Sequence, residues 1–338
     1  MQIFVNILLT LLIFIVIILI HEFGHFITAK LCGVKVNEFA IGMGPTLFRK
    51  KGKETTYSVR AFPIGGFVSM EGEEGPSDDE RAFSNQNVWK RILIICAGAI
   101  MNVVLGFLVL VGMTMSQSSI VTNTLAEVRP DSFMAQSGLQ AGDTILKVNG
   151  RTMFVTGDIS YELMRDPDQN VSMVVRRDGE KITLDSVRYN TKNDGGLGIK
   201  VQAVEKTFLG VVTYSAKYTV CIARLIWVSL VDLVTGQASF NDLSGPVGMT
   251  QVVGEVARVG WPNLILLLAF ITINVGIFNL LPIPALDGGR LLFLLVEAIR
   301  GKAIKPEYEG YIHMAGFIAV ILLMIAVTFN DILKLFKG

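Results

Sequence analysis

Residues 3–20 read IFVNILLTLLIFIVIILI, a run with no charge and almost no polar side chain. At 1.5 Å per residue, a helix of this length crosses a hydrocarbon core of ~30 Å. A cleaved leader fits poorly, because the start is not basic, the apolar run is too long and no small-x-small cleavage site follows. Similar runs predict three more spans, at about Ile92–Met115, Leu264–Leu281 and Ala315–Phe329. Phe208–Val234 is also apolar, but Lys217, Arg224 and Asp232 interrupt it. A charge at mid-bilayer costs roughly 2.5–3.5 kcal/mol, so this stretch is expected as amphipathic helices on the membrane surface or against the spans.

Between the second and third spans the period changes. Apolar and polar positions alternate in Thr144–Val148 and Val171–Val175, next to turn signals at Asn149-Gly150 and Asp178-Gly179. Short helices are expected at Ser132–Gln136 and Ile159–Arg165, so about 121–201 reads as a small α/β domain. The string SGLQAGDTILKVNG over 137–150 resembles PDZ domains in the permuted order found in bacterial proteases. That resemblance implies an extended peptide or substrate segment bound by strand addition at a sheet edge. The family's peptide-end loop is expected at Gly196-Leu197-Gly198-Ile199.

Composition agrees with a membrane protein. Hydrophobic residues make up 51% of the 338 and charged residues 17%, with a mean hydropathy of +0.53. Soluble chains carry about a quarter charged residues. A net charge of +1 gives no reason to expect nucleic acid as a partner. The basic residues mark sides instead. Lys30, Lys35, Arg49, Lys50, Lys51, Lys53, Arg60, Arg81, Lys90 and Arg91 lie between the first two spans, and Arg290, Arg300, Lys302 and Lys305 between the last two. Both connections are expected in the cytoplasm, with the amino terminus, the 116–260 insert and the carboxy terminus outside. Lys334 and Lys337 run against that assignment. Cys32, Cys96 and Cys221 are odd in number and match no metal knuckle or disulfide framework.

The chemistry begins at His21-Glu22-Phe23-Gly24-His25, where the first apolar run ends. Residues i and i+4 share a helix face, so His21 and His25 can present two imidazole nitrogens to one ion. Glu22 stands where a carboxylate can take a proton from a water that zinc acidifies, the logic of a metalloprotease. A catalytic zinc takes a third protein ligand. Asp287, His313, Glu297 and Cys32 are the candidates. Asp287 is favoured by its setting, Asn279-Leu-Leu-Pro282-Ile-Pro284-Ala-Leu-Asp287-Gly288-Gly289, where prolines and glycines break an apolar span. Irregular backbone at membrane depth is tolerated where it is buried in protein or lines a cavity. With four spans, Asp287 falls on the side of the histidines; a fifth crossing at 208–234 would separate them.

These motifs together resemble the site-2 protease family of intramembrane metalloproteases, and most of all its bacterial regulator-of-sigma-E protease group, over essentially the whole chain. Leu243-Ser-Gly-Pro246-Val-Gly248 is similar to a stretch of that group. The resemblance implies an α-helical polytopic membrane protein of four transmembrane helices with a membrane-associated β-loop and an inserted α/β PDZ-like domain. Its segments would be 1–115, with the first two spans and the β-loop; 116–205, PDZ-like; 206–260, amphipathic and extracytoplasmic; and 261–338, with the last two spans. It implies Zn2+ held by His21, His25 and Asp287, Glu22 as catalytic base, and substrate contacts at Asn279, Asn274, Gly42 and Gly44. The substrate would be a single-pass membrane protein, an anti-sigma factor or remnant signal peptide, cleaved in the lipid bilayer of the bacterial inner membrane near the cytoplasmic side. The 35–70 segment, β-prone at Thr55–Val59 and Phe67–Met70, would be the β-loop whose edge pairs with substrate. Two departures stand out: there is room for one PDZ-like domain where some members have two, and Met43 replaces the aromatic residue between Gly42 and Gly44. The competing classes are a receptor with a structural metal, which would need four protein ligands, and a zinc transporter, for which the spans are too apolar.

Overall fold

Apolar runs become helices in a bilayer because a helix satisfies its own N–H and C=O groups. The computed structural model describes residues 2–73, 75–190, 197–237, 239 and 243–337. In chain order its elements are α1 (Gln2–Leu31), β1 (Val36–Lys51), β2 (Thr56–Met70), α2 (Val88–Ser116), β3 (Ile120–Val128), α3 (Phe133–Gln136), β4 (Thr144–Val148), β5 (Arg151–Thr152), α4 (Thr156–Arg165), β6 (Asn170–Arg177), β7 (Glu180–Arg188), β8 (Ile199–Val204), α5 (Phe208–Val234), α6 (Pro246–Val259), α7 (Trp261–Asn279), α8 (Asp287–Arg300) and α9 (Pro306–Lys337). Among the described residues, four helices are long and apolar enough to cross a membrane: Ile3–Leu31, Val88–Ser116, Trp261–Asn279 and Glu307–Lys334. Residues 208–234 form one continuous helix rather than several. The chain divides into two compact units, 1–109 with 226–338, and 110–225.

In the first unit, glycines set the helix spacing. A side chain at Gly24 would strike the Ala97 carbonyl, and one at Gly276 would strike the Ala99 carbonyl and Asn102. Helices without a hydrophobic drive between them pack closely through such small residues. The Thr272 hydroxyl then donates to the Asn102 carbonyl at 3.2 Å. α6 lies against α1 at Gly254, which leaves room for the Asn6 side chain. Ile13, Ile17, Val253, Leu264 and Ile271 form the core there.

The two β-prone stretches expected at 55–59 and 67–70 are two ends of one strand, β2. Along β1, Glu38 lies opposite both Ser69 and Thr56, and Ile41 opposite both Gly66 and Val59. Farther on, Phe48 faces Val59 and Lys51 faces Thr56. Residues 38–41 and 56–59 are therefore interior, while 46–51 and 66–70 form the outer edges. Gly42 and Gly44 make the bend possible, with φ of +85° at each.

The second unit is built on a sheet of order β7-β6-β4-β3-β8, with β5 on β4. β4 matches the expected 144–148, β6 includes 171–175, and α3 and α4 fall at the expected short helices. The core is made by Ile145 and Val148 of β4 and by the alternate residues Val171, Met173 and Val175 of β6, closed by Met134, Ile159 and Leu163. Asp143, wholly buried, is held by Arg177 through two hydrogen bonds of 2.7 Å. Buried Asp158 accepts the amides of Phe154 and Val155 at 2.7 and 3.0 Å and pairs with Arg224 of α5. One of the charges that interrupts 208–234 is thus neutralised. Gly196 of the expected peptide-end loop lies outside the described residues; Gly198 has φ of +72°, and its carbonyl accepts the Arg129 amide at 2.8 Å.

Two outcomes follow for thermal unfolding of the full chain in detergent. Asp331 is buried in α9 and accepts the Gly245 and Gly248 amides at 2.9 and 2.8 Å, which anchors the start of α6. Asp331→Ala leaves both amides unpaired and is expected to cost about 1–3 kcal/mol. Arg177→Met strands the Asp143 carboxylate in the core of the second unit and is expected to cost about 3–5 kcal/mol.

Candidate metal centre

Three side chains from two distant parts of the chain converge on one point. His21 and His25 stand one turn apart on α1, and Asp287 is the first residue of α8. His21 Nε2 lies 3.1 Å and His25 Nε2 3.2 Å from Asp287 Oδ2, and the two imidazole nitrogens are 3.2 Å apart. Ligands at zinc bond lengths of about 2.0 Å in a tetrahedron stand roughly 3.3 Å from one another. The observed triangle has that size. Asp287 Oδ2 is also buried without a hydrogen bond of acceptable geometry among the described residues, a state a cation would relieve. Burial alone would lift the Asp287 carboxyl, but the two imidazoles hold it below the usual carboxylate range. The donor set of two imidazoles and one carboxylate therefore fits zinc with a coordination position left open.

The α2 helix supports both imidazoles through residues four apart. The Ile94 carbonyl accepts from His25 Nδ1 at 2.9 Å, which leaves Nε2 free as a ligand. Gly98 comes next; a side chain there would collide with both rings. Asn102 follows, fully buried, with its carboxamide 3.3 Å from His21 Nδ1. Its Oδ1 has no partner among the described residues. Turning the amide over makes that oxygen the acceptor for a His21 Nδ1–H and satisfies both groups; such orientations are assigned from the network. Gly98 and Asn102 were not singled out in the sequence. A lone asparagine in an apolar span was the available signal.

The turn before α8 aims Asp287. Ala285 has φ of +83°, and its amide donates to His313 Nδ1 at 3.0 Å. Non-glycine residues hold such a conformation only when their surroundings enforce it. Gly288 and Gly289 lie under the carbonyls of Leu281 and Ile283, where no side chain fits. The other third-ligand candidates are engaged elsewhere: His313 with Ala285, Glu297 with Arg91. Cys32 is a free thiol outside the three-residue cluster.

Glu22 lies within electrostatic range of His25, His21 and Asp287, and Gly66 packs against its side chain. Asn279 closes α7 and Asn274 lies within it; neither makes a side-chain hydrogen bond to the cluster among the described residues. Gly42 borders a cavity that reaches Glu22, and Gly44 faces the Phe62 ring.

Comparison with known proteins gives the family. A family model described as Peptidase family M50 matches residues 9–323. A Clostridium acetobutylicum chain assigned as a zinc metalloprotease is 41% identical over 97% of this chain and 98% of its own length. The regulator of sigma-W protease RasP of Bacillus subtilis is 33% identical over 96% of this chain and 97% of its own. The zinc metalloprotease RasP of Bacillus licheniformis is 34% identical over 96% and 98%. The chain belongs to peptidase family M50, the site-2 protease family, and is a zinc-dependent metalloendopeptidase of a bacterial membrane.

Proposed function

We propose that this chain is an intramembrane endopeptidase that cuts single-pass membrane proteins within or near their membrane segment. The observation that carries this reading is the His21–His25–Asp287 triangle, whose two histidines lie on an apolar helix that continues unbroken through them. In it His21, His25 and Asp287 are the zinc ligands. A zinc ion held by these residues would supply Lewis-acid polarisation of a water molecule and the scissile carbonyl. Glu22 takes the proton of the attacking water on its carboxylate and delivers it to the leaving amine. Ile94 and Asn102 hold the imidazole orientations, and Asn279 and Asn274 contact the substrate chain.

A transmembrane helix hides its peptide bonds, so it must be unwound before attack. The 66–70 edge of the hairpin sheet, beside Glu22, is suited to hold the unwound chain as an added strand. Gly42 and Gly44 shape the turn next to it. The 116–205 insert is read as a permuted PDZ-like domain outside the cytoplasm. β8 ends its sheet, and an extended peptide or substrate segment would add there, with the peptide end at the Gly196–Ile199 loop. The name of the Bacillus subtilis relative, which refers to sigma-W, supports an anti-sigma factor as substrate; a remnant signal peptide has the same single-pass form. The basic connections support an active site near the cytoplasmic face.

Two experiments test this. Glu22→Gln is expected to abolish cleavage of a model single-span substrate in proteoliposomes while zinc stays bound by metal analysis; full activity in that variant would sink the mechanism. Asn102→Ala is expected to weaken zinc retention against a chelator about 10- to 100-fold, with Asp287→Ala losing the metal outright.

A further inference from the structure

A cavity of about 160 Å3 opens between α1 and the hairpin sheet. Ile15, Ile18, Leu19 and Glu22 form its α1 wall, spaced so that they share one helix face. Ile41 and Val59 face them from the sheet. Arg60 also borders the space, but its guanidinium is turned to Glu38 at 2.9 Å and to the Gly44 carbonyl at 3.2 Å, and it lies over the Phe67 ring. Among the described residues, Glu22 is the one carboxylate in the lining, and it marks the end of the cavity nearest the metal cluster.

Glu22 therefore belongs to two places at once. Water that Glu22 deprotonates must lie within hydrogen-bond reach of that carboxylate, and the carbonyl it attacks lies next to that water. The side chain next to that carbonyl then starts at the mouth of the cavity. An aliphatic wall of this kind penalises a charged or amide group, which would lose its water without a partner. An apolar cavity of ~150 Å3 holds benzene, so this one suits a side chain of about four to six carbons.

We propose that this cavity is the specificity pocket of the protease, receiving the aliphatic side chain that adjoins the scissile bond. The inference rests on the assignment of Glu22 as the base, and it adds the substrate feature that decides where the unwound chain is cut. Residues of leucine or isoleucine size are selected there, and charged or very large residues are rejected.

The test uses the full chain in proteoliposomes and a single-span substrate carrying Ala, Leu, Trp or Asp on either side of the cleaved bond. Wild type is expected to favour Leu over Asp and Trp by about tenfold or more in kcat/KM on one of the two sides. Val59→Phe fills the cavity and is expected to shift the Leu-to-Ala ratio about tenfold toward Ala. Ile18→Ala enlarges it and is expected to shift the Trp-to-Leu ratio toward Trp. Ratios that stay the same in both variants overturn the pocket, as they would if a lipid chain filled the space. A wild type that cleaves none of the series overturns the intramembrane-cleavage reading, and a Glu22→Gln chain that still cleaves overturns the role of Glu22 as base; either result takes the pocket with it.

Discussion

Gly24 and Gly98 allow α1 and α2 to meet backbone to backbone at the level of the two imidazoles, and the geometry of the centre depends on that approach. A side chain at Gly24 would push on the Ala97 carbonyl, and one at Gly98 would occupy the space of both rings. Because the helices touch there, the Ile94 carbonyl and Asn102 come within hydrogen-bond range of the outer ring nitrogens. Each imidazole is oriented from behind, so its Nε2 points toward Asp287. Ligands already held in place lose little freedom on binding an ion, and outer partners of this kind raise metal affinity.

The third member of the triangle is held by a different device. α7 ends at Asn279, the Pro-Ile-Pro-Ala turn reverses the chain, and α8 starts on Asp287. The turn is strained at Ala285 and is pinned by His313 from α9. Arg290, one turn into α8, pairs with Glu73 beyond the hairpin, and Arg91 of α2 pairs with Glu297 of α8. These contacts tie α8 to the elements around it. Breaking either pair would leave a charge in a partly buried place, so their effect is on position more than on net stability.

The hairpin sheet gives the centre its second wall. It bends at Gly42 and Gly44, and Gly66 on its outer edge packs against Glu22 because it has no side chain. In the proposed reading, water, an unwound strand and an aliphatic side chain meet at that one carboxylate. An enzyme that attacks peptide bonds at membrane depth has to bring these three together, since neither water nor extended backbone is stable in lipid alone.

The sequence by itself determined what depends on local periodicity. Length and apolarity mark the four long helices, because a bilayer imposes a minimum run. The i, i+4 spacing puts His21 and His25 on one face, with Glu22 beside them, wherever that helix lies. Alternation located β4 and β6, and interrupting charges marked 208–234 as different from the other long apolar stretches. Tertiary structure decided the rest. Asp287, His313, Glu297 and Cys32 were all chemically able to complete the site, and only the fold brought the first to the histidines while giving His313 and Glu297 other partners. Asn102 and Gly98 look like ordinary helix residues until α1 is set against α2. The two halves of β2 read as separate strands because pairing on both sides of β1 is a long-range arrangement. HEFGH therefore contains two candidate ligands and a candidate base in its own letters, whereas the third candidate ligand, the ring supports and the cavity are distances between segments far apart in the chain, which no local pattern encodes.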